Sequence, residues 1–175
     1  MKKLFLTVVA LVSATLVSGW CCGFSGRVNT YTYLVASARR DIQQGKVSCV
    51  LIQKGIISYT GTGKGIAPLL KVYNEDAFKM KDAVLVDKVI GKAAAMIALS
   101  GGVKQVHTEI ICDSAYDLLV KEGVLVTFKI RVENILNNRR DDLCPMEKIV
   151  KDVSDPALAI RLLNEGVAKM AAQGK

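Results

Sequence analysis

Asp87-Lys88-Val89-Ile90-Gly91-Lys92-Ala93-Ala94-Ala95 decides how this chain is read, because it sets two charges beside a face built almost wholly of small residues. Ala83, Val86, Ile90, Ala93 and Ile97 recur at helical spacing, Asp82 suits an N-cap, and Gly101-Gly102 suits a stop. The spacing predicts one long helix from Asp82 up to those glycines. On it Lys88 and Lys92 lie one turn apart and present two ammonium groups to one anion. The competing reading of the same charges is a solvated helical face.

Working outward, Leu34, Ala38 and Ile42 predict a first helix that ends at Gly45. Residues 47–53 and 56–60 are rich in β-branched side chains and separated by Lys54-Gly55, the signature of a tight antiparallel hairpin. Gly61-Thr62-Gly63-Lys64-Gly65 is then expected as a loop. Beyond the central segment, residues 106–112 read as a strand, Asp113-Ser114 starts a helix that ends at Gly123, and the clean alternation of residues 124–132 predicts one continuous strand. Pro145 and Asp155-Pro156 open two further helices. This order predicts an α/β protein, a three-layer α/β/α sandwich with helices on both faces of a mixed sheet.

The 175 residues suit one domain, and 51% hydrophobic with 23% charged residues suits a compact one. The division expected is a signal peptide or membrane anchor over residues 1–26 and a single domain over residues 27–175. Lys2-Lys3 followed by the uncharged residues 4–26 has the basic start and apolar stretch of an export signal, with Val17 and Gly19 small enough to flank a cleavage site. The same run is long enough to anchor in a bilayer, so membrane contact is expected only through residues 4–26. The five cysteines pull the other way: the set is odd and unpatterned, Cys49 and Cys112 sit in apolar runs, and the body of the chain has cytoplasmic chemistry. The formal charge of +8 is a mild anion preference, without the basic blocks and interleaved aromatics of a nucleic-acid groove.

Three motifs stand in fixed order: Gly63-Lys64-Gly65-Ile66-Ala67-Pro68-Leu69, Asp87-Lys88-Val89-Ile90-Gly91-Lys92-Ala93-Ala94-Ala95, and Cys144-Pro145-Met146-Glu147. Together they resemble a bacterial domain-of-unknown-function family whose members adopt a cytidine-deaminase-like fold, over roughly residues 33–166. The resemblance implies a cytoplasmic relative set without the leader, and it puts Asp87 and Lys88 where deaminases begin their active-site helix.

A zinc deaminase needs His-x-Glu and Pro-Cys-x-x-Cys at two helix starts. His107 and Glu109 instead fall on a strand, Cys144 has no partner cysteine at that spacing, and Cys112 with Ser114 makes an incomplete second motif. No metal and no cofactor is expected. The catalytic candidates are Asp87, Lys88 and Cys144, the last placed before a helix where amide dipoles favour thiolate. Gly63, Lys64, Gly65, Lys88, Lys92 and Glu147 are the candidate ligand-binding residues, the glycines because successive amides in such turns form an anion nest. A small anionic or nucleotide-like ligand in one shared cleft is the leading expectation. The alternative is an interaction domain in which the same residues pack between copies of the chain, and a zinc-dependent nucleoside deaminase comes third.

Overall fold

A computed structural model of the protein describes residues 30–172. The leader and its cleavage or anchoring lie outside these residues, and among the described residues no helix is long and apolar enough to cross a membrane.

Helix α1 (Thr30–Gln43) precedes a hairpin of β1 (Cys49–Gln53) and β2 (Ile56–Gly61), whose turn residues Lys54 and Gly55 both take positive φ, 52° and 76°. Two consecutive left-handed residues match the twist of the flanking strands. Helix α2 (Ala67–Asp76) and a 3-10 turn (Ala77–Lys79) carry the chain to β3 (Val84–Ile90), α3 (Lys92–Ser100), β4 (Gln105–Cys112) and α4 (Asp113–Lys121). Two short strands, β5 (Leu125–Thr127) and β6 (Ile130–Val132), are followed by α5 (Pro145–Val150) and α6 (Pro156–Ala172). The six strands form one mixed sheet in the order β2-β1-β3-β4-β5, with β6 also paired to β4. β1 is antiparallel to β2 and β3, while β3, β4, β5 and β6 run parallel.

The predicted helix from Asp82 is corrected here: its first half is the strand β3, and helix begins only at Lys92. Asp82 is a turn residue at φ 55° rather than an N-cap, and Gly91 takes the N-cap place. A parallel β3–β4 pair requires a crossover, which the shortened α3 supplies. The helical periodicity of residues 83–90 arose because a strand buried on both faces shows its apolar residues without regard to period. Helix α2 follows the expected loop of residues 61–65 and has no counterpart in the sequence expectations. The expected continuous strand over residues 124–132 is broken at Phe128-Lys129 into β5 and β6.

Strand alternation divides the core. Val50, Ile52, Val84 and Val86 point to α1, where they meet Val35, Ala38 and Ile42. Cys49, Leu51, Leu85 and Val106 belong to the larger core with α2, α3, α4, α5 and α6. α3 is packed by α4, α5 and α6 as well as by the sheet, and Ala93 through Ala98 are all buried. A helix enclosed on every side needs small residues where neighbours press closest, which accounts for the alanine run. Asp155 starts α6 by accepting hydrogen bonds from the amides of Ala157 and Leu158, at 3.0 and 3.3 Å.

Candidate functional site at the carboxyl end of the parallel strands

In open α/β sheets the crevice beyond the carboxyl ends of the strands is where ligands bind. Here that end gathers the last residues of β3 and β4, the first residue of β1, the loop after β2 and the starts of α2, α3 and α4. Asp87 stands in the middle. Its neighbours in register are Cys49 on β1 and Thr108 on β4, both buried. Asp87 itself keeps some open surface. One carboxylate oxygen accepts the amide of Val89 at 3.2 Å, and no ion pair to Asp87 occurs among the described residues. Burial pushes its carboxyl up to about 7, against the lowering effect of the Val89 and Lys88 amides. Thr108 is satisfied locally, its hydroxyl donating to the Ile110 carbonyl at 3.0 Å.

Cys49 joins Asp87 to the glycine loop, because it pairs with Asp87 on one side and with Gly61 on the other. Two strand spacings put Gly61 about 10 Å from Asp87. A side chain at Gly61 would meet Pro68 Cβ at 2.6 Å and Cys49 Sγ at 2.7 Å, so glycine there lets the start of α2 sit directly on the sheet. The Tyr59 hydroxyl donates to the Pro68 carbonyl at 3.0 Å, and the Ser48 hydroxyl donates to the Gly63 carbonyl at 2.6 Å. The loop is thereby fixed. Gly63 and Gly65 take φ of 132° and 56°, Lys64 is exposed, and no side chain caps the α2 N-terminus.

Burial, then the charge of Asp87, raises the Cys49 thiol to about 12, opposed only by the Gly61 backbone. Since the thiolate is the nucleophile, Cys49 is inert at ordinary pH. A thiol-alkylating reagent at pH 8 should leave Cys49 unmodified in the folded protein while half-buried Cys144 reacts, as peptide mass spectrometry would show. Equal labelling of the two would contradict the burial described here.

The start of α3 is closed by a carboxylate from 55 residues away. Glu147 Oε2 accepts the Lys92 amide at 2.8 Å and Oε1 accepts the Ala93 amide at 3.0 Å. A Cβ on Gly91 would lie 2.6 Å from Glu147 Cδ, so only glycine admits this approach. Cys112 reaches the same carboxylate, with its Sγ 4.0 Å from Oε2 and 3.3 Å from Ser114 Oγ. Lys92 turns away from any shared anion and donates to the Lys151 carbonyl at 2.6 Å, at the end of α5. Cys144 is the N-cap of α5, its amide bonded to the Ile135 carbonyl at 2.9 Å.

The structure therefore brings Asp87 and the Gly63-Lys64-Gly65 loop to one end of the sheet, and sets Glu147 and Lys92 at the helix start that follows β3. It separates Lys88 from them. Because successive strand residues face opposite ways, Lys88 points to the α1 side, where its charge acts on Glu109, a residue bonded to Gln43 of α1 and to Lys129. The expected pairing of Lys88 with Lys92 on one helical face does not occur. Cys49, Tyr59 and Thr108 were not among the candidate site residues of the sequence; the alternation of residues 84–90, read as a strand, would have pointed to the neighbours of Asp87.

A deaminase-type zinc does not fit these residues. Glu147 is committed to two amides, His107 lies on the α1 face, and among the described residues no three His, Cys, Asp or Glu side chains converge as metal ligands.

Residues 37–167 match the family described as a domain of unknown function, DUF1893. No curated protein matches the chain. A crystal structure of a DUF1893 family protein from Thermotoga maritima superposes with a TM-score of 0.68 at 22% identity, covering 76% of this chain and 89% of that one. At that identity the likeness concerns the fold. The match over most of its length places this chain in the DUF1893 family.

Proposed function

We propose that this protein is a cytidine-deaminase-like scaffold without a zinc centre that binds a nucleotide-like ligand at the carboxyl end of its parallel strands. The strand order and the sequence of a hairpin followed by alternating helices and strands support the scaffold reading. The observation that carries the ligand reading is Asp87, a carboxyl held near neutrality in the centre of the sheet without a cation beside it among the described residues. Strongly perturbed groups in such positions cluster at functional sites. Protonated or ionised, Asp87 can donate to or accept from the polar edge of a heterocyclic ring. The glycine loop and Lys64 supply amides and a charge for an anionic end. A ligand with both features answers the site better than a bare anion, because the N-terminus of α3 already holds Glu147.

A thermal-shift screen with nucleosides, nucleotides and inorganic phosphate tests this. A ligand at a hundred times its Kd stabilises by about 2.7 kcal/mol, which amounts to several degrees in a domain of this size. Nucleotides should raise the melting temperature more than nucleosides or phosphate do, and Lys64→Ala and Asp87→Asn should each diminish the rise. No shift with any nucleoside or nucleotide would reject the reading. It would then favour the interaction domain, for which the exposed apolar residues Val120, Leu125, Phe128 and Ile130 along α4 and the β5–β6 edge speak.

A further inference from the structure

The opposite face of the sheet holds a cleft that the site above does not use. It lies between α1 and the strands β4 and β5, encloses about 290 Å³, and has an apolar wall of Val35, Ala36 and the Tyr31 ring. Its polar end is formed by Arg39, Gln105, His107 and Thr127. Arg39 is partly buried and has no carboxylate within ion-pair distance among the described residues. Among the described residues its side chain meets His107 Nδ1, at 3.3 Å.

That contact defines the state of the ring. A guanidinium only donates, so Nδ1 accepts and the proton of the neutral ring sits on Nε2; the Gln105 carboxamide, whose nitrogen is placed 3.0 Å from Nε2, must then turn over and present its oxygen as the acceptor, because two donors cannot pair. Burial first and the Arg39 charge second hold the imidazole below its usual range. Protonating Nδ1 in the empty cleft would set a donor against a donor and a cation against a cation. An anion entering between them removes both conflicts, since it accepts from the guanidinium and from Nδ1–H together.

The other charged or titratable groups on this face do not supply that anion. Tyr31 comes from α1 and is held above its ordinary range by burial. Further along β4, Glu109 is engaged by Gln43 and Lys129, with Lys88 of β3 beyond it. β5 contributes Thr127 and no charge.

We propose that this cleft binds a small organic monoanion, a carboxylate head on a flat apolar body, and that His107 takes up a proton as it binds. The guanidinium fork matches a carboxylate in shape as well as charge. The wall of Val35, Ala36 and Tyr31 accepts the apolar body, which inorganic phosphate lacks.

His107 is the single histidine of the chain, so its ring protons give one resolved signal in the untagged protein. Proton NMR of that signal against pH, with and without benzoate, is the test. Benzoate should raise the His107 titration midpoint by about one unit, making its apparent binding about tenfold tighter below the two midpoints than above them. Inorganic phosphate at equal ionic strength should move it less. Arg39→Gln should abolish the benzoate effect. Ala36→Phe, which fills the cleft from an exposed position and leaves both polar partners in place, should block benzoate without moving the midpoint of the free protein. The proposal is overturned if benzoate leaves the midpoint unmoved up to its solubility limit. It is equally overturned if Ala36→Phe responds as the wild type does.

Discussion

Asp87→Asn should make the protein more stable at pH 8 and flatten a decline in stability that the wild type shows between about pH 4 and pH 7. The folded-state value near 7 lies above the ordinary 3.8, so within that window the folded protein keeps a proton that the unfolded chain has released. Stability is therefore highest below the unfolded value and falls as pH rises through the folded one. Above both, the full cost of burying the carboxylate is present. Three units correspond to about 4 kcal/mol, a ceiling because the side chain keeps some open surface, so a gain of about 2 kcal/mol or more is expected for Asn at pH 8. Urea unfolding of both proteins at pH 4.5, 6 and 8 measures it. Parallel pH profiles would show that Asp87 does not titrate in this range. A carboxylate that lowers stability at working pH in the middle of a sheet is the kind of strongly perturbed group that marks functional sites, which is why the proposed ligand site begins there.

The second large effect is expected at the junction of α3 and α5. Glu147→Ala removes two charge-assisted hydrogen bonds and a negative charge from the N-terminus of an enclosed helix, and should cost about 2–4 kcal/mol. Glu147→Gln, with one oxygen in place of two, should cost about half as much. Gly91→Ala should be nearly as damaging as the loss of the carboxylate, because the new methyl would overlap Glu147 Cδ from 2.6 Å away. The double variant is the decisive measurement. Once Glu147 is gone the methyl has room, so Gly91→Ala and Glu147→Ala together should cost clearly less than their sum. Additive unfolding free energies would mean that Gly91 is required for some reason other than this approach.

What the sequence disclosed follows from where the physics is local. The hairpin was legible because Lys54-Gly55 must turn within two residues, and the starts of α4, α5 and α6 because Asp113, Pro145 and Asp155 mark helix beginnings by short-range rules. The strand β3 was not legible, since Val84, Leu85 and Val86 face apolar layers on both sides and their order carries no period. Once β3 was read as helix, Lys88 and Lys92 came to share a face that they do not share in the fold. α2 escaped because a loop of glycines precedes it and Pro68 stands in its first turn, signals that also belong to turns. Of the candidate site, Asp87, the glycine loop and Glu147 were legible as residue types at suggestive positions. Their partners were not, because Cys49 meets Asp87 and Gly91 meets Glu147 only through the register of the sheet and a contact spanning 55 residues.

The break between β5 and β6 has a bearing on how the protein behaves in a crowded solution. A long, flat, apolar edge strand is a template on which another chain can add its own backbone and begin an aggregate. Leu125 and Ile130 are 67% and 54% exposed along this border, which gives it the composition of such a template. The two strands offer only three residues each, however, and between them the Lys129 amide is turned to the Glu109 carbonyl while its ammonium pairs with the Glu109 carboxylate, both at about 3 Å. An incoming strand meets a charged interruption after three residues. Backbone pairing along this border can thus run for only three residues at a time, and the apolar border can persist without offering a long template for fibres.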